Sequence, residues 1–558
     1  MKKIIKYMLV VVMAGSFLNS CDTTDLNLTE NPNILTSGDI NLLLNTMQIG
    51  YKDNVRNFNQ RGGELTRIDF MGGRDYFNNY AGATMNGVWN TTYSNIFANL
   101  QEMERINNES DINYDFHVGL GKIMQAHSLF ILVDMIGNAA YTEALDPIQF
   151  PAPNLDEGAS VYTAALGLLT EAEALLSSGP ATQGATDFYY NGDTNKWLKV
   201  INSLRLKAYK QTSNVSAFNA VIAGNNFISS TEDDLEFKYG TNVLQPDTRH
   251  PDYATDYTPS GANIYQSNWL METMLLKDDP RIRYYFYRQV GGTPGALDID
   301  GNEVAPNEET LACSLVVPPQ HYIDGGYTYC SVDNGYWGRS HGNDEGTPPD
   351  SFTRTALGVY PAGGKFDDND FAVDEDDPNY DPTVGLGKGG AGAGIEPMLL
   401  ASWVDFWRAE MAASDALKAT FMEAGMTKSI SKVQTFGALD SSADTSFAPS
   451  ETEVAAYISG IVAEYNTATG DDKENVYAEQ YWIALFGGGG ESWNYYRKTG
   501  YPTTLTPNWE PSPGAFPRTF LLPQNEVITN PNLTQRTSLS TQVFWDTNPA
   551  GPAFPAAN

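Results

Sequence analysis

Apolar residues recur at helical spacing along most of the first 240 residues. Ser37 precedes a stripe at positions 40, 43, 44, 47 and 51, so this serine is expected to cap a helix that begins close behind it. Later segments carry the same period, at residues 86–107, 115–136, 161–176 and 197–208. The pattern predicts long amphipathic helices joined by short linkers.

The helical period fades between about residues 240 and 395, where glycine, proline, aspartate and tyrosine become frequent. It returns at 396–425, 451–466 and 473–486. Stacked helix pairs with short linkers form an α-solenoid of the tetratricopeptide type, although no regular repeat of about 34 residues is visible here. We therefore expect a mostly α fold, a tetratricopeptide-like α-solenoid with a long loop-rich insertion that carries short β hairpins.

The expected organisation is a single unit over residues 37–558. A helical scaffold would cover 37–240 and 396–500, and a loop-rich lobe would cover 241–395. The tail, 501–558, is rich in proline and asparagine and is expected to wrap the surface. A loop-rich stretch this long inside a compact protein is usually functional, which directs the search for a site to the lobe.

The N-terminus has the features of an exported lipoprotein. Three lysines among the first six residues precede an apolar run at 7–18, which is too short to span a bilayer but suits a signal peptide. The sequence Leu18-Asn19-Ser20-Cys21 follows and is similar to a bacterial lipobox. We expect a signal peptide over 1–20, lipidation of Cys21 and a polar tether over 21–36. The alternative is an ordinary secretory signal with a coincidental cysteine.

The charge balance narrows the range of partners. The chain has 34 basic and 68 acidic residues, a formal net charge of −34, and 41% apolar residues. Such a charge repels phosphate backbones and anionic membrane surfaces, so nucleic acid is not an expected partner. No other window has eighteen apolar residues without charges, so membrane attachment is expected through the lipid anchor alone.

Two cysteines remain if Cys21 carries lipid. Cys313 and Cys330 are close in sequence, and an exported protein occupies a compartment in which disulfides persist. We predict a disulfide between them, with two buried thiols as the alternative.

One motif allows an enzymatic interpretation. The sequence Gly338-Arg339-Ser340-His341-Gly342 fits the G-x-S-x-G nucleophile elbow, in which Ser340 would act with His341 or another histidine. That motif requires a strand before it and a helix after it, whereas Gly346, Pro348 and Pro349 follow closely here. A glycine-rich loop is the favoured interpretation and a surface hydrolase is the alternative.

The metal-binding patterns are weak. Asp298, Asp300 and a glutamate at the twelfth position, Glu309, resemble a calcium loop, but Pro306 intrudes and an Asp-Gly hairpin turn explains the same residues. The acidic run 367–377 is expected to be a solvated loop, with weak calcium binding as its alternative. No His/Cys cluster has zinc spacing, and glycines 487–490 lack the lysine of a phosphate loop. No cofactor is therefore expected, with calcium as the alternative, and the metal site stays unknown.

Two loop segments combine aromatic and polar side chains as glycan binding requires. Aromatic rings can cover the apolar faces of sugars, while amides, carboxylates and arginines bind their hydroxyls. The candidate ligand-binding residues of the first segment are Tyr76, Phe77 and Tyr80, and those of the second are Asp333, Asn334, Tyr336, Trp337 and Arg339. A peptide could use the same surfaces. The alternative for each segment is that its aromatics fill a satellite core beneath a loop.

Several segments, taken together and in order, resemble the SusD/RagB-like lipoproteins. The segments that carry the resemblance are 121–123, Ser128 to Asn138, Tyr141 to Ala144, Asp187 to Tyr190, Lys196-Trp197, 202–206, Asp278 to Arg281, Gln480 to Phe486, Glu491 to Trp493, Tyr496 to Pro502, Pro517-Arg518, Pro523 and Glu526. They run across nearly the whole chain. Asn138 to Ala140 depart from the family, which more often has an acidic residue and a proline there.

The resemblance implies a fold of about four helix pairs and a binding protein rather than an enzyme. It implies a place at the outer membrane, lipid-anchored and facing the cell exterior, beside a SusC-like TonB-dependent transporter. There the protein would capture an oligosaccharide, or a peptide, and deliver it to the transporter. Most matched residues are expected to be scaffold, Trp197 and Trp482 among them. A structural surface-assembly protein is the remaining alternative.

Overall fold

The structure is a computed structural model that describes residues 38–549, except 183, 260, 290–316, 330–331, 333, 346–350, 352–353 and 370–387. Several predictions lie outside these residues: the signal peptide, the tether, lipidation of Cys21, the disulfide between Cys313 and Cys330, and the calcium pattern at 298–309.

The first half of the described chain is helical. Its α-helices are α1 (Ile40–Thr66), α2 (Tyr76–Asn79), α3 (Asn86–Asn90), α4 (Ala98–Glu109), α5 (Asp115–Ile136), α6 (Gly158–Ser177), α7 (Thr194–Gln211) and α8 (Val215–Gly224). A π-helical segment, Thr91–Phe97, joins α3 to α4, and a 3₁₀ turn, Gly82–Met85, precedes α3. The side chain of Asp39, not of Ser37, caps α1 by accepting from the backbone N–H of Asn41.

The second half alternates short and long elements. They are β1 (Leu235–Lys238), α9 (Pro251–Asp256), α10 (Asn268–Leu276), α11 (Ile282–Tyr285), β2 (Phe286–Tyr287), α12 (Gln320–Gly325), β3 (Ala356–Leu357), β4 (Ile395–Leu399), α13 (Ala401–Glu410), α14 (Asp415–Thr435), α15 (Glu451–Thr467), α16 (Asp471–Ala484), α17 (Gly490–Thr499) and α18 (Gln524–Thr529). Three further 3₁₀ turns are Thr231–Asp233, Phe436–Leu439 and Thr445–Phe447.

Consecutive long helices pack against each other in pairs. The pairs are α5 with α6, α7 with α8, α13 with α14, and α15 with α16. Helix α1 contacts α5 on one side and α17 on the other, so it joins the two halves. The mostly α fold with about four helix pairs is therefore confirmed.

The described strands form two small antiparallel sheets. Strand β1 pairs with β4, with Leu235 opposite Leu399 and Lys238 opposite Ile395. Strand β2 pairs with β3. Because each strand pairs with one distant in the sequence, the expected short hairpins are wrong for these strands. The β1–β4 ladder instead joins the two chain segments that flank the loop-rich lobe.

The core is continuous through both halves of the described chain and is rich in tryptophan. Trp197 and Trp482 are fully buried, and their indole N–H groups donate to Asp187 Oδ2 at 2.8 Å and to the carbonyl of Thr66 at 3.0 Å. Their assignment to the scaffold is therefore confirmed. In the described residues, α5 alone is long and apolar enough to cross a membrane, and 94% of its apolar window is buried inside the protein.

A buried ionic network joins α5, α7 and α17. Lys207 Nζ contacts Glu491 Oε1 at 2.5 Å and Asp134 Oδ2 at 3.3 Å, and Lys210 Nζ contacts Glu491 Oε2 at 3.0 Å. All four side chains are at most 6% exposed. Buried charges are tolerated when they are paired, so this network holds three helices in one arrangement.

Helices α1 and α17 approach closely through glycines. A Cβ atom added at Gly62 would overlap the carbonyl oxygen of Gly489 and lie 2.6 Å from the Cα atom of Gly490. A Cβ atom at Gly490 would overlap the ring of Phe58. Two of the four glycines 487–490, Gly489 and Gly490, thus lie where α1 and α17 meet.

The tail packs on α5. The backbone N–H of Phe520 donates to the carbonyl of Met135 at 2.7 Å, and Arg536 donates to the carbonyl of Phe520 at 2.8 Å. Arg518 pairs with Asp546, with Nε and Oδ2 2.7 Å apart. Phe520 and Trp545 are buried. The tail therefore contributes to the core.

Candidate functional site

A cavity of about 420 Å³ opens where α1 and β4 meet the loop-rich lobe. Helix α1 ends at Arg67, whose left-handed backbone (φ 64°) turns the chain out of the helix. Asp69 then forms an isolated antiparallel bridge with Gln266. This bridge brings two segments that are far apart in the sequence to the same wall of the cavity.

An aromatic pair forms part of that wall. The rings of Phe70 and Tyr265 pack edge to face, with centroids 5.5 Å apart and an angle of 69°. Both side chains are partly exposed. The guanidinium carbons of Arg339 and Arg354 lie 4.3 and 3.8 Å from the centroid of the Tyr265 ring, and Arg354 Nη2 donates to its hydroxyl at 3.2 Å. These contacts fix the tyrosine ring before any ligand arrives.

Amide side chains accompany the aromatic pair. Gln60 and Asn263 are exposed at the cavity, and Gln266 is 4% exposed. Among the described residues, no group accepts a hydrogen bond from Gln266 Nε2. A buried donor without an acceptor is costly, so a ligand oxygen at this position would remove that cost. The combination of apolar rings and amides suits a sugar.

The charged residues of the cavity are mostly acidic. Arg56 lies between two carboxylates, with Nη2 2.5 Å from Asp252 Oδ1 and Nη1 3.2 Å from Glu396 Oε2. Glu64 accepts from Arg61 at 2.9 Å. Burial raises the pKa of Glu396 to about 7, although Arg56 lowers it. Burial also raises the pKa of Asp252, but Arg56 outweighs burial and leaves that pKa below its ordinary value.

Asp69 is an acid of this wall whose pKa lies well above its ordinary value. Burial, and then the negative charges of Asp252 and Glu64, raise its pKa to about 8. No hydrogen bond or ion pair joins its carboxyl group to another side chain in the described part of the chain. The pocket thus contains an acid that titrates near neutral pH.

Two of the three candidate residues in the first aromatic segment are buried. Tyr76 and Tyr80 are fully buried: the Tyr76 hydroxyl is 3.1 Å from His341 Nε2, and the Tyr80 hydroxyl donates to Glu64 Oε2 at 3.0 Å. Phe77 is 45% exposed but does not line the cavity. The expectation that Tyr76 and Tyr80 are exposed is wrong, because their rings fill a core beneath the tail.

The candidate residues of the second segment differ in their exposure to solvent. Tyr336, Trp337 and Arg339 are 3%, 2% and 3% exposed, so the expectation that they form an open binding surface is wrong. Arg339 instead lies beneath Tyr265 and positions it. Asn334 is exposed, and Asp333 lies outside the described residues.

Asn334 and Tyr336 line a second, larger groove of about 930 Å³ between α10, α11 and α15. Its arginines are already engaged, since Arg288 pairs with Asp367 at 2.6 Å and Arg283 donates to Asn369 at 2.9 Å. The acidic run 367–377 is predicted to be a solvated loop; for Asp367 this is wrong, because its side chain is fully buried and pairs with Arg288.

Ser340 and His341 do not face each other as a catalytic pair would. Both are 3% exposed. The Ser340 hydroxyl donates to the carbonyls of Thr328 and Tyr329 at 3.3 Å, and His341 contacts Tyr76. Burial holds the pKa of His341 well below its ordinary value. Over the residues described, no group of three or more His, Cys, Asp or Glu is arranged to hold a metal ion.

Comparison with known proteins identifies the family. A family model described as SusD-like, "starch-binding associating with outer membrane", matches residues 32–305 and 374–523. The chain belongs to the SusD-like family. None of the functionally curated proteins matches this SusD-like chain.

Solved structures share the SusD-like fold. A SusD/RagB family protein from Bacteroides thetaiotaomicron is 17% identical with a TM-score of 0.63, covering 92% of this chain and all of that one. A chitin-binding SusD homologue from Flavobacterium johnsoniae is 18% identical with a TM-score of 0.58, covering 91% and 99%. A SusD homologue from Bacteroides uniformis is 18% identical with a TM-score of 0.59, over the same coverage.

Sequence reasoning missed the residues that line the SusD-like cavity. Phe70 lies six residues before Tyr76 of the first predicted segment, and Tyr265 and Gln266 lie just before the first residue of α10. The signals that could have indicated them are two adjacent pairs of an aromatic and a polar residue, Asp69-Phe70 and Tyr265-Gln266.

Proposed function

We propose that this protein is a cell-surface lipoprotein that captures an oligosaccharide in the cavity beside Phe70 and Tyr265. It would deliver this nutrient to a SusC-like TonB-dependent transporter. The observation that carries the proposal is the partly exposed aromatic pair with an unpartnered buried amide, Gln266, beside it. The family description and the chitin-binding relative support a glycan over the peptide that the sequence also allowed.

The binding test compares two exposed phenylalanines. We expect Phe70→Ala to weaken oligosaccharide binding by about five- to tenfold, because the lost ring contact is worth about 1–1.5 kcal/mol. Phe77→Ala is the matched control, since Phe77 is exposed in the neighbouring segment but does not line the cavity. The measurement is calorimetric titration of protein that begins after Cys21 with a panel of oligosaccharides. Equal affinities of Phe70→Ala and wild type would contradict the proposal.

The surface location has its own test. If Cys21 carries the lipid, the Cys21→Ala protein is expected in the soluble periplasmic fraction, while the wild type sediments with outer membranes and is digested by protease added to intact cells. Recovery of the variant in the membrane fraction would contradict lipid anchoring at this residue. The same cells allow the transporter to be sought by co-purification with wild-type protein.

The two alternative functions, a surface hydrolase and a surface-assembly protein, are not supported by a comparable observation. A hydrolase using Ser340 would need an accessible nucleophile, and this hydroxyl is buried on two carbonyls. A surface-assembly role has no specific contact in its favour. Calcium stays a proposal for the pattern at 298–309, and thermal unfolding with and without a chelator would test it.

A further inference from the structure

More acidic than basic side chains line the cavity beside Phe70. Four carboxyl groups and one guanidinium line it: Glu64, Asp69, Asp252, Glu396 and Arg56. Arg56 is shared by two of the acids, and Glu64 is paired with Arg61 just outside the cavity. One acid, Asp69, is left without a cation of its own.

Asp69 is held rigidly where it is. Its backbone is fixed by the bridge to Gln266 and by a hydrogen bond from its N–H to the carbonyl of Gly63 at 3.0 Å. Its carboxyl group packs on Gly63, where a Cβ atom would overlap Oδ2. The backbone at Asp69 therefore does not need to be ordered when a ligand binds, which lowers the cost of binding.

A second, independent feature points to a ligand at the same wall. Gln266 is 96% buried and lines the cavity. Its amide Nε2 donates no hydrogen bond to any described residue. It lies across the bridge from Asp69 and directly beside Tyr265. A sugar hydroxyl can accept from this amide while its ring contacts the aromatic pair.

We propose that the oligosaccharide bound here bears an unsubstituted amino group, whose ammonium form binds against Asp69. This inference rests on the proposed function and names its ligand class. A uronic or sulfated glycan would instead add negative charge to a wall that already holds four carboxyl groups.

The titration of Asp69 is consistent with this ligand. The charged and titratable groups that line the cavity with it are Glu64, Asp252, Glu396, Arg56 and His250, and Arg61 is paired with Glu64. His250 is neutral at pH 7 because burial lowers its pKa to about 3. With a pKa of about 8, Asp69 is largely protonated at pH 6 to 7. An ammonium group favours its ionised form, so binding of the amine should release a proton from Asp69.

The experiment uses three oligosaccharides of equal length, made of glucosamine, N-acetylglucosamine and galacturonic acid, titrated into the protein at pH 6. We expect the glucosamine oligomer to bind most tightly and the galacturonic oligomer most weakly. Asp69→Asn should weaken glucosamine-oligomer binding by about tenfold and leave N-acetylglucosamine-oligomer binding nearly unchanged. Asp111→Asn, an exposed acid away from the cavity, is the matched control and should match wild type.

Repeating the titrations in two buffers of different ionisation enthalpy measures the number of protons that are released when the ligand binds. Wild type should release a proton with the glucosamine oligomer and none with the acetylated one, and Asp69→Asn should release none with either. Equal affinity for the amine and acetylated oligomers, or tightest binding of the galacturonic oligomer, would overturn the inference.

The outcomes also separate this inference from the proposed function. If the acetylated oligomer binds and Phe70→Ala loses it, but no preference for the amine is seen, the proposed function stands and the inference fails. If no oligosaccharide binds, both fail. Binding of an oligolysine peptide in place of every oligosaccharide would retain the cation preference but overturn the sugar class.

Discussion

Replacing Glu491 with glutamine is expected to lower the free energy of unfolding by about 3–5 kcal/mol, the cost of removing one partner from a buried ion pair. Lys207 and Lys210 are 3% and 0% exposed and both contact this carboxylate. The glutamine has nearly the same shape, so packing is kept and a buried positive charge is left without its counter-charge. Urea unfolding at pH 7 measures the difference.

The dependence of this effect on pH follows from the pKa of Glu491. Burial raises that pKa, but Lys207 and Lys210 outweigh burial and lower it to about 2. Because the folded pKa is below the ordinary value of 4.5, the carboxylate stabilises the fold above pH 4.5, and this contribution is lost as pH falls toward 2. The difference between wild type and Glu491→Gln should therefore shrink between pH 5 and pH 2.

A control variant distinguishes the effect of breaking the ionic network from the effect of removing an exposed carboxylate. Glu423 is exposed on α14, and Glu423→Gln should change stability by less than about 0.5 kcal/mol. If Glu491→Gln unfolds at the same urea concentration as this control, the network contributes little and the three helices are held by apolar packing alone.

The helical scaffold could be predicted because its signal is local. The stripe at 161–176 became α6, and the apolar run at 115–136 became α5 with the predicted bounds. Trp197 on α7 and Trp482 on α16 were also correctly assigned to the core, since a helical stripe marks the face that packs. Helix N-caps were less certain, because Ser37 and Asp39 suit the position equally and only the geometry selects Asp39.

The binding site could not be predicted because exposure depends on distant residues. Tyr76 and Trp337 lie in segments of loop composition, yet Tyr76 is covered by Phe516 of the tail and contacts His341. The cavity forms only where the end of α1 pairs with residue 266, a contact that no local pattern encodes. The composition of the loop segments indicated which of them are rich in aromatic and polar side chains, but the fold determines which of these side chains reach solvent.

The largest steric effect is expected where α1 meets α17. Alanine at Gly62 would place a Cβ atom against the backbone of Gly489 and Gly490, which cannot move aside as a side chain could. Forced separation of packed elements typically costs about 1–3 kcal/mol, and occasionally more. The gain in helix propensity of about 1 kcal/mol offsets only part of this cost, so Gly62→Ala should be destabilised.

A glycine in open space gives the matched comparison. Gly167 is inside α6 and has nothing within 4 Å of an added Cβ atom, so Gly167→Ala should be stabilised by up to about 1 kcal/mol. The two alanine variants are therefore expected to shift the urea midpoint in opposite directions. A shift of both to higher urea would mean that α1 and α17 can separate at little cost. The glycines at 62 and 489–490 would then not determine how closely the two halves of the scaffold approach, and the cavity beside Phe70 would depend on the β1–β4 ladder instead.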